Sequence, residues 1–306
     1  MKEYNFNFYS DANLKSYNLN ESIRYQLGML DSLDAFTRRH SENVAALTCR
    51  LCEKLHMRSY FTAYCTTCAY LHDIGKQFIP EKILQKNGPL TDEEYEIMKT
   101  HTTIGYKICM ADMKLRPYAN GTLYHHEALN GTGYPNGATA QEIPLEGKII
   151  RVADEFDAIV SKRQYKSHVG ISDTLKILFD EITPPAVSKK SIDKLNKIDP
   201  KIFKALVKNV IEDTEYEIGC LMDYIDYIDE NIKRLHQIQL YNASLIDAKK
   251  DHQKEYYKKS IELLLDPGET LDNWAQVASE YKTARAIRSE ELNKLRAELK
   301  KIKKFK

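Results

Sequence analysis

Five histidines (His40, His72, His101, His125 and His126) and two aspartates (Asp73 and Asp154) stand out between residues 40 and 154 of a chain with nine histidines. Imidazole and carboxylate together suit borderline divalent metals, and a carboxylate can bridge two of them. A pair of metal ions favours displacement at phosphorus, because it stabilises both the attacking and the leaving oxygen. Taken singly, each residue reads as an ordinary polar side chain, and so do His56, His168, His236 and His252. The set reads differently, since burying so many polar groups without a cation between them costs several kcal/mol. The chemistry indicated is that of a phosphohydrolase.

Separate elements must deliver these side chains. A helical pattern begins near Asn20, and the segment from Leu33 to Leu55 carries His40. A helix from about Arg58 to Leu71 ends in His72-Asp73, where Gly75 permits a turn. Thr91 and Glu94 have the spacing of a capping box, which predicts a helix from Asp92 that carries His101 inward. His125 and His126 are adjacent, so they cannot point the same way on a helix but can straddle two ions. The stretch 130–137 holds three glycines and one proline and must be a loop. Residues 146–159 read as a helix with Asp154 and Asp157 three residues apart, and 183–198 as an exposed connection. Asp199-Pro200 then opens the last helix of the domain, with proline at its first position.

The 306 residues allow one large or two ordinary domains. A net charge of +1 gives no strong field for nucleic acid or an anionic membrane. No apolar run is long enough to span a bilayer, and residues 1–8 lack the apolar core of a signal peptide, so a cytoplasmic location is expected. Abundant Lys, Glu, Leu and Ile, with 12 Gly and 9 Pro, favour an all-α fold. Cys49-x-x-Cys52 and Cys65-x-x-Cys68 have the spacing of a zinc ribbon. Both pairs lie in helical segments without a glycine-rich knuckle, so Cys52 and Cys68 read as small core residues. Cys109 and Cys220 carry no motif, and six reduced thiols fit a cytoplasm.

The ordered segments RRHSENVAAL, YLHDIGK, MKTHTTIGYKI, HHEALNGTGYPNG, IPLEGKIIRVADEFDAIVSKRQYK and IDPKIFKALV cover more than half of the chain. Together they resemble the HD-GYP family, a branch of the HD phosphohydrolases that hydrolyses cyclic dinucleotides. The resemblance implies the five-helix HD arrangement. It also implies that His40, His72, Asp73, His101, His125, His126 and Asp154 ligate metal, with Asp73 as the bridge. Two divalent ions are expected, Fe or Mn, with Zn as the alternative. Lys76 matches a position that reaches the phosphate or the bridging oxygen. Arg163 and Lys166 match positions that hold the phosphates and a guanine base, while Gly133 and Tyr134, with Gly131 and Pro135, match the loop that names the family. Two departures stand out. Phe36 replaces a glutamate that helps some members hold a third metal, and Asn130 stands where an aspartate is common.

The resemblance implies a phosphodiesterase that cuts cyclic di-GMP to linear pGpG, with a second cut to GMP as a further step. Its rivals are another cyclic dinucleotide, such as cyclic GMP-AMP, and a signalling adaptor that meets protein partners at the Tyr134 loop. Three parts are expected: an irregular arm over 1–20, a catalytic domain over 21–213 and a helical hairpin over 214–306. Ile225, Ile228, Ile232, Leu235 and Ile238 step by three and four, as do Leu292, Leu295, Leu299 and Ile302, with Asp266-Pro267-Gly268 between the runs. Two such stripes predict a homodimer through the C-terminal helices. The final KKIKKFK reads as a solvated helix end.

Overall fold

The computed structural model describes residues 21–33, 35–161, 169–182 and 196–306. The composition favours helix, and among the described residues every regular element is helical; the one β-type pairing is an isolated bridge between Asn130 and Thr139. Two compact units divide between Ile211 and Glu212, and Lys301–Lys306 belong with the first. The expected arm over 1–20 lies outside the described residues, as do Arg163, Lys166 and His168.

The first unit begins with α1 (Glu21–Leu33), α2 (Ala35–Lys54) and α3 (Ser59–Leu71), followed by a 3-10 turn at Ile74–Phe78 and α4 (Glu81–Leu84). Next come α5 (Asp92–Lys99), α6 (His101–Ala111), α7 (Ala119–Tyr124), α8 (Leu145–Val160) and α9 (Ile171–Asp180). Helix α2 packs between α3 and α8, and the short α7 touches α3, α6 and α8. Leu27, Leu51, Leu71, Ile74, Ile149, Ile150 and Leu175 fill the space between them and are almost wholly buried. Cys49, Cys52, Cys65, Cys68 and Cys109 are buried in the same core, whereas Cys220 is exposed. Burial keeps the Cys68 thiol above its usual range, and a hydrogen bond with Cys52 followed by burial does so for Cys65.

Three local expectations change. The capping box at Thr91 is present, but α5 stops at Lys99 and His101 opens the next helix instead of riding on α5. The Thr100 amide bonds the Ile97 carbonyl at 3.1 Å and its hydroxyl bonds the same oxygen at 2.6 Å, closing the turn early. Gly75 is needed for contact rather than for turn conformation. A Cβ there would lie 1.9 Å from the His101 carbonyl oxygen and 2.6 Å from the Gly105 nitrogen. The end of the supposed exposed connection is packed: Asn196 and Ile198 are buried, and Lys197 bonds Glu181 and Leu129 through its backbone.

The C-terminal region also differs from a simple hairpin. Helix α10 runs unbroken from Pro200 to Asp247, so the last helix of the first unit and the first arm of the hairpin are one element. It is followed by α11 (Asp251–Glu262) and α12 (Trp274–Ile302). Leu235, Ile238 and Ile261 form a buried cluster flanked by Leu264, Leu265, Trp274, Val277 and Tyr281. Ile228 is buried too, so the α10 stripe is largely covered within one copy of the chain. On α12, Leu292 is buried and Leu295 and Leu299 stay half-buried. At the break between α11 and α12, Gly268 takes φ +90, and the Arg234 guanidinium bonds the Leu264 carbonyl and the Glu269 carboxylate. The basic terminus is not simply solvated: Ile302 is fully buried and the Phe305 ring lies 5.6 Å from that of Phe179.

The two kinds of glycine separate in a stability experiment. Gly75→Ala should lower the thermal midpoint by several degrees or prevent folding, because backbone rather than a movable side chain occupies the space. Gly28→Ala should leave the midpoint unchanged or raise it, since its Cβ meets nothing within 4 Å and alanine is favoured in a helix by about 1 kcal/mol. Equal effects from the two substitutions would contradict this packing.

Candidate metal centre

Three of the candidate imidazoles stand at helix ends and are anchored in one way. His72 follows the last residue of α3, and its Nδ1 lies 2.7 Å from the Ala69 carbonyl. His101 begins α6, with Nδ1 2.6 Å from the Met98 carbonyl. His125 follows α7, with Nδ1 3.0 Å from the Gly121 carbonyl. A carbonyl can only accept, so each Nδ1 carries the proton and each Nε2 presents a lone pair. All three Nε2 atoms face Asp73: that of His101 is 3.4 Å and that of His125 3.9 Å from Oδ1, and that of His72 is 3.3 Å from Oδ2.

His40, on α2, and Asp154, on α8, complete the cluster. His40 Nε2 lies 3.0 Å from Asp154 Oδ1, and its Nδ1 lies 2.7 Å from Asp157 Oδ2. His126 Nδ1 is 3.6 Å from Asp154 Oδ2, and Lys76 Nζ is 2.5 Å from Asp73 Oδ2. The structure therefore gathers His40, His72, Asp73, Lys76, His101, His125, His126 and Asp154 at one place. Asp73 lies at its middle, within 4 Å of four imidazoles.

This arrangement fits metal. His72 Nε2 and Asp73 Oδ1 are buried and have no hydrogen-bond partner. The Nε2 atoms of His101 and His125 lie 3.2 Å apart, and with both protons committed at Nδ1 two lone pairs oppose each other. A cation beside them removes both costs. Three overlapping triads have ligand atoms within 4.8 Å of one another: His101 with His125 and His126, His40 with His72 and Asp73, and His72 with His125 and Asp154.

The electrostatics follow from burial and from the two aspartates. Burial lowers the pKa of His101 to about 4 and takes His125 and His126 down as well. Burial also acts to lower His40, but Asp154 and Asp157 outweigh it and raise that imidazole to about 9. Burial raises both carboxylates, yet the imidazoles, with Lys76 at Asp73, hold Asp73 and Asp154 well below the usual range.

The loop over 130–137 folds back on this cluster. A Cβ on Gly133 would lie 2.3 Å from the Ala128 nitrogen and 2.5 Å from the His126 carbonyl oxygen, so only glycine fits. The next amide, that of Tyr134, donates to the His126 carbonyl at 3.2 Å, and the Tyr134 ring lies 4.7 Å from the His126 ring at 31°. Asn130 serves the turn, its side-chain oxygen accepting from the Thr132 amide and hydroxyl. Two supporting residues had no assigned role in the sequence reading. Glu127 accepts the Asn136 and Ala138 amides at 2.7 and 2.8 Å and so holds the loop; its place directly after His125-His126 was the available signal. Asp157 orients His40, and its three-residue spacing from Asp154 was the corresponding signal. The Phe36 side chain lies outside the described residues.

Residues 26–182 match the HD domain family. The chain therefore belongs to that family, and its GYP segment places it in the HD-GYP branch. It is 38% identical over 188 residues to a Cyclic di-GMP phosphodiesterase of Thermotoga maritima, covering 61% of this chain and 51% of that protein. It is 33% identical over 207 residues to Cyclic di-GMP phosphodiesterase PdeB of Borreliella burgdorferi, covering 67% and 50%. It is also 32% identical over 180 residues to 3'3'-cGAMP-specific phosphodiesterase 3 of Vibrio cholerae, covering 59% and 36%. The chain spans about half the length of the first two of these relatives. An HD domain implies divalent metal binding, to which the His and Asp cluster corresponds. No helix among the described residues is long and apolar enough to cross a membrane.

The depressed imidazoles set a pH response for the metal-free chain. His101 binds a proton near pH 6.5 when unfolded and only near 4 when folded, so its contribution to stability is lost as pH falls through that window. His125 and His126 act in the same direction. His40, raised to about 9, and Glu155, raised to about 7 by burial, each contribute more at pH 5 than at pH 7.5, but these two are set against three depressed imidazoles and offset the loss only in part. With chelator present, the thermal midpoint should be lower at pH 5 than at pH 7.5. An equal or higher midpoint at pH 5 would contradict these assignments.

Proposed function

We propose that this chain is a metal-dependent phosphodiesterase that hydrolyses cyclic di-GMP to pGpG, with GMP as a further product. The observation that carries this reading is the convergence of three lone-pair imidazole nitrogens on a buried, incompletely bonded Asp73 carboxylate. Two ions would be held by His40, His72, His101, His125, His126 and Asp154, with Asp73 shared between them. Imidazole with carboxylate suits Fe or Mn, with Zn as the alternative. Such a pair supplies Lewis acidity toward a phosphoryl oxygen and acidifies water at neutral pH.

The chain's own groups bind and orient the substrate. The Lys76 ammonium, fixed against Asp73, offsets charge that grows on the phosphoryl oxygens. Arg163 and Lys166 hold the phosphates and a base, and Gly133 and Tyr134 close the site on the loop side. Catalysis belongs to residues 21–213, and residues 214–306 serve dimerisation or regulation, in a cytoplasmic protein. A second reading, hydrolysis of 3'3'-cGAMP, is favoured by the similarity to the Vibrio cholerae protein named for that substrate.

Full-length protein reconstituted anaerobically with Fe or Mn should contain about two metals per chain and turn over cyclic di-GMP faster than other cyclic dinucleotides. A ratio near zero removes the mechanism, and faster turnover of cGAMP selects the second reading. Asp73→Ala should abolish turnover. Lys76→Ala should keep its metal and lose rate by roughly tens- to thousands-fold, as expected for a group that stabilises developing charge. Loss of metal without a further rate effect would assign Lys76 to metal retention instead.

A further inference from the structure

None of the eight residues of α5 is buried, so the helix adds nothing to the core. The capping box sets where it starts, and an ion pair between Lys86 and Glu94 ties it to the segment before it. Tyr95 and Lys99 are one turn apart and share a face. That face is turned to the GYP loop. The Tyr95 and Tyr134 rings meet edge to face at 6.2 Å, and the Lys99 ammonium stands 4.8 Å from the first ring and 5.7 Å from the second. Tyr134 in turn lies against His126 and, at 6.5 Å, His101. A connected series of rings thus leads outward from the metal ligands and ends in Tyr95, which is 45% exposed.

We propose that Tyr95 is the stacking face for one purine base of the substrate, with the Tyr134 ring set nearly perpendicular beside it. The inference rests on the cyclic dinucleotide reading above. A cyclic dinucleotide brought to the metal centre through one phosphate must place a base within a nucleotide's reach of it. A flat aromatic surface takes any purine, because every base has a π-face. Lys99 is held by Glu96 at 2.6 Å, so its part is to orient the two rings through its charge rather than to bind phosphate. Tyr95 contributes binding by contact with the base and takes no part in the chemistry at phosphorus.

The test uses the metal-loaded full chain and cyclic di-GMP. Tyr95→Ala should raise KM about tenfold, the usual effect of losing one stacked base, while kcat stays within about twofold. Tyr95→Phe should restore KM, since the ring and not the hydroxyl makes the contact. If Tyr95 merely propped Tyr134 against His126, Tyr95→Ala would lower kcat at unchanged KM; that result, or no change in either constant, overturns the proposal. A second measurement is independent of turnover. In Tyr95→Trp, fluorescence beyond that of the native Trp274 should be quenched by cyclic di-GMP and not by ribose 5-phosphate. If the wild-type protein turns over no cyclic dinucleotide, the functional reading fails. The quenching comparison still decides whether Tyr95 meets a base, and quenching that is absent or equal for the two ligands overturns the proposal.

Discussion

Everything in the first unit is subordinate to one electrostatic requirement: a buried carboxylate, Asp73, surrounded by imidazoles whose inward nitrogens cannot donate to it. Left to themselves these groups oppose folding, because lone pairs face each other and buried acceptors lack donors. A divalent cation reverses the sign of the same arrangement. The protein therefore holds in place a geometry whose stabilising partner is a metal, as in sites where metal binding and folding share one free energy.

The means of holding it are mostly local. His72, His101 and His125 bond carbonyls three or four residues earlier, so helical geometry itself fixes the ring tautomer and direction. His40 is the exception. It lies within α2, and Asp157 from α8 performs the orienting task across the core. Two glycines then set the closeness of approach. Gly75 lets the turn after Asp73 touch the start of α6, and Gly133 lets the GYP loop lie on the backbone at His126. Glu127 ties that loop down from the residue beside the ligands, so loop position and ligand position are coupled through two adjacent peptide units.

The second unit obeys a different constraint, the burial of narrow apolar stripes. Leu235 and Ile238 are covered by α11, α12 and the turn between them, and Arg234 ties that turn by bonding both a carbonyl and a carboxylate.

Residue type and order in the sequence were enough for the helical class, for the His and Asp residues that gather around Asp73 and for the loop, because imidazole and carboxylate have restricted uses and the motifs occur in a fixed succession. Contacts between distant residues were not legible there. Gly75 read as a turn residue because the carbonyl that excludes a side chain belongs to His101, 26 positions later. The break at Thr100 and the continuity of α10 through residue 213 depend on local hydrogen-bond competition and packing, which leave no periodic trace. Asp157 and Glu127 were visible as acidic residues, but whether such a residue binds metal, orients a histidine or anchors a loop depends on what lies within 3 Å of it. Sequence determined which groups were available for metal chemistry; tertiary structure decided which nitrogen of each ring faces Asp73, because that choice is made by the carbonyl behind the ring.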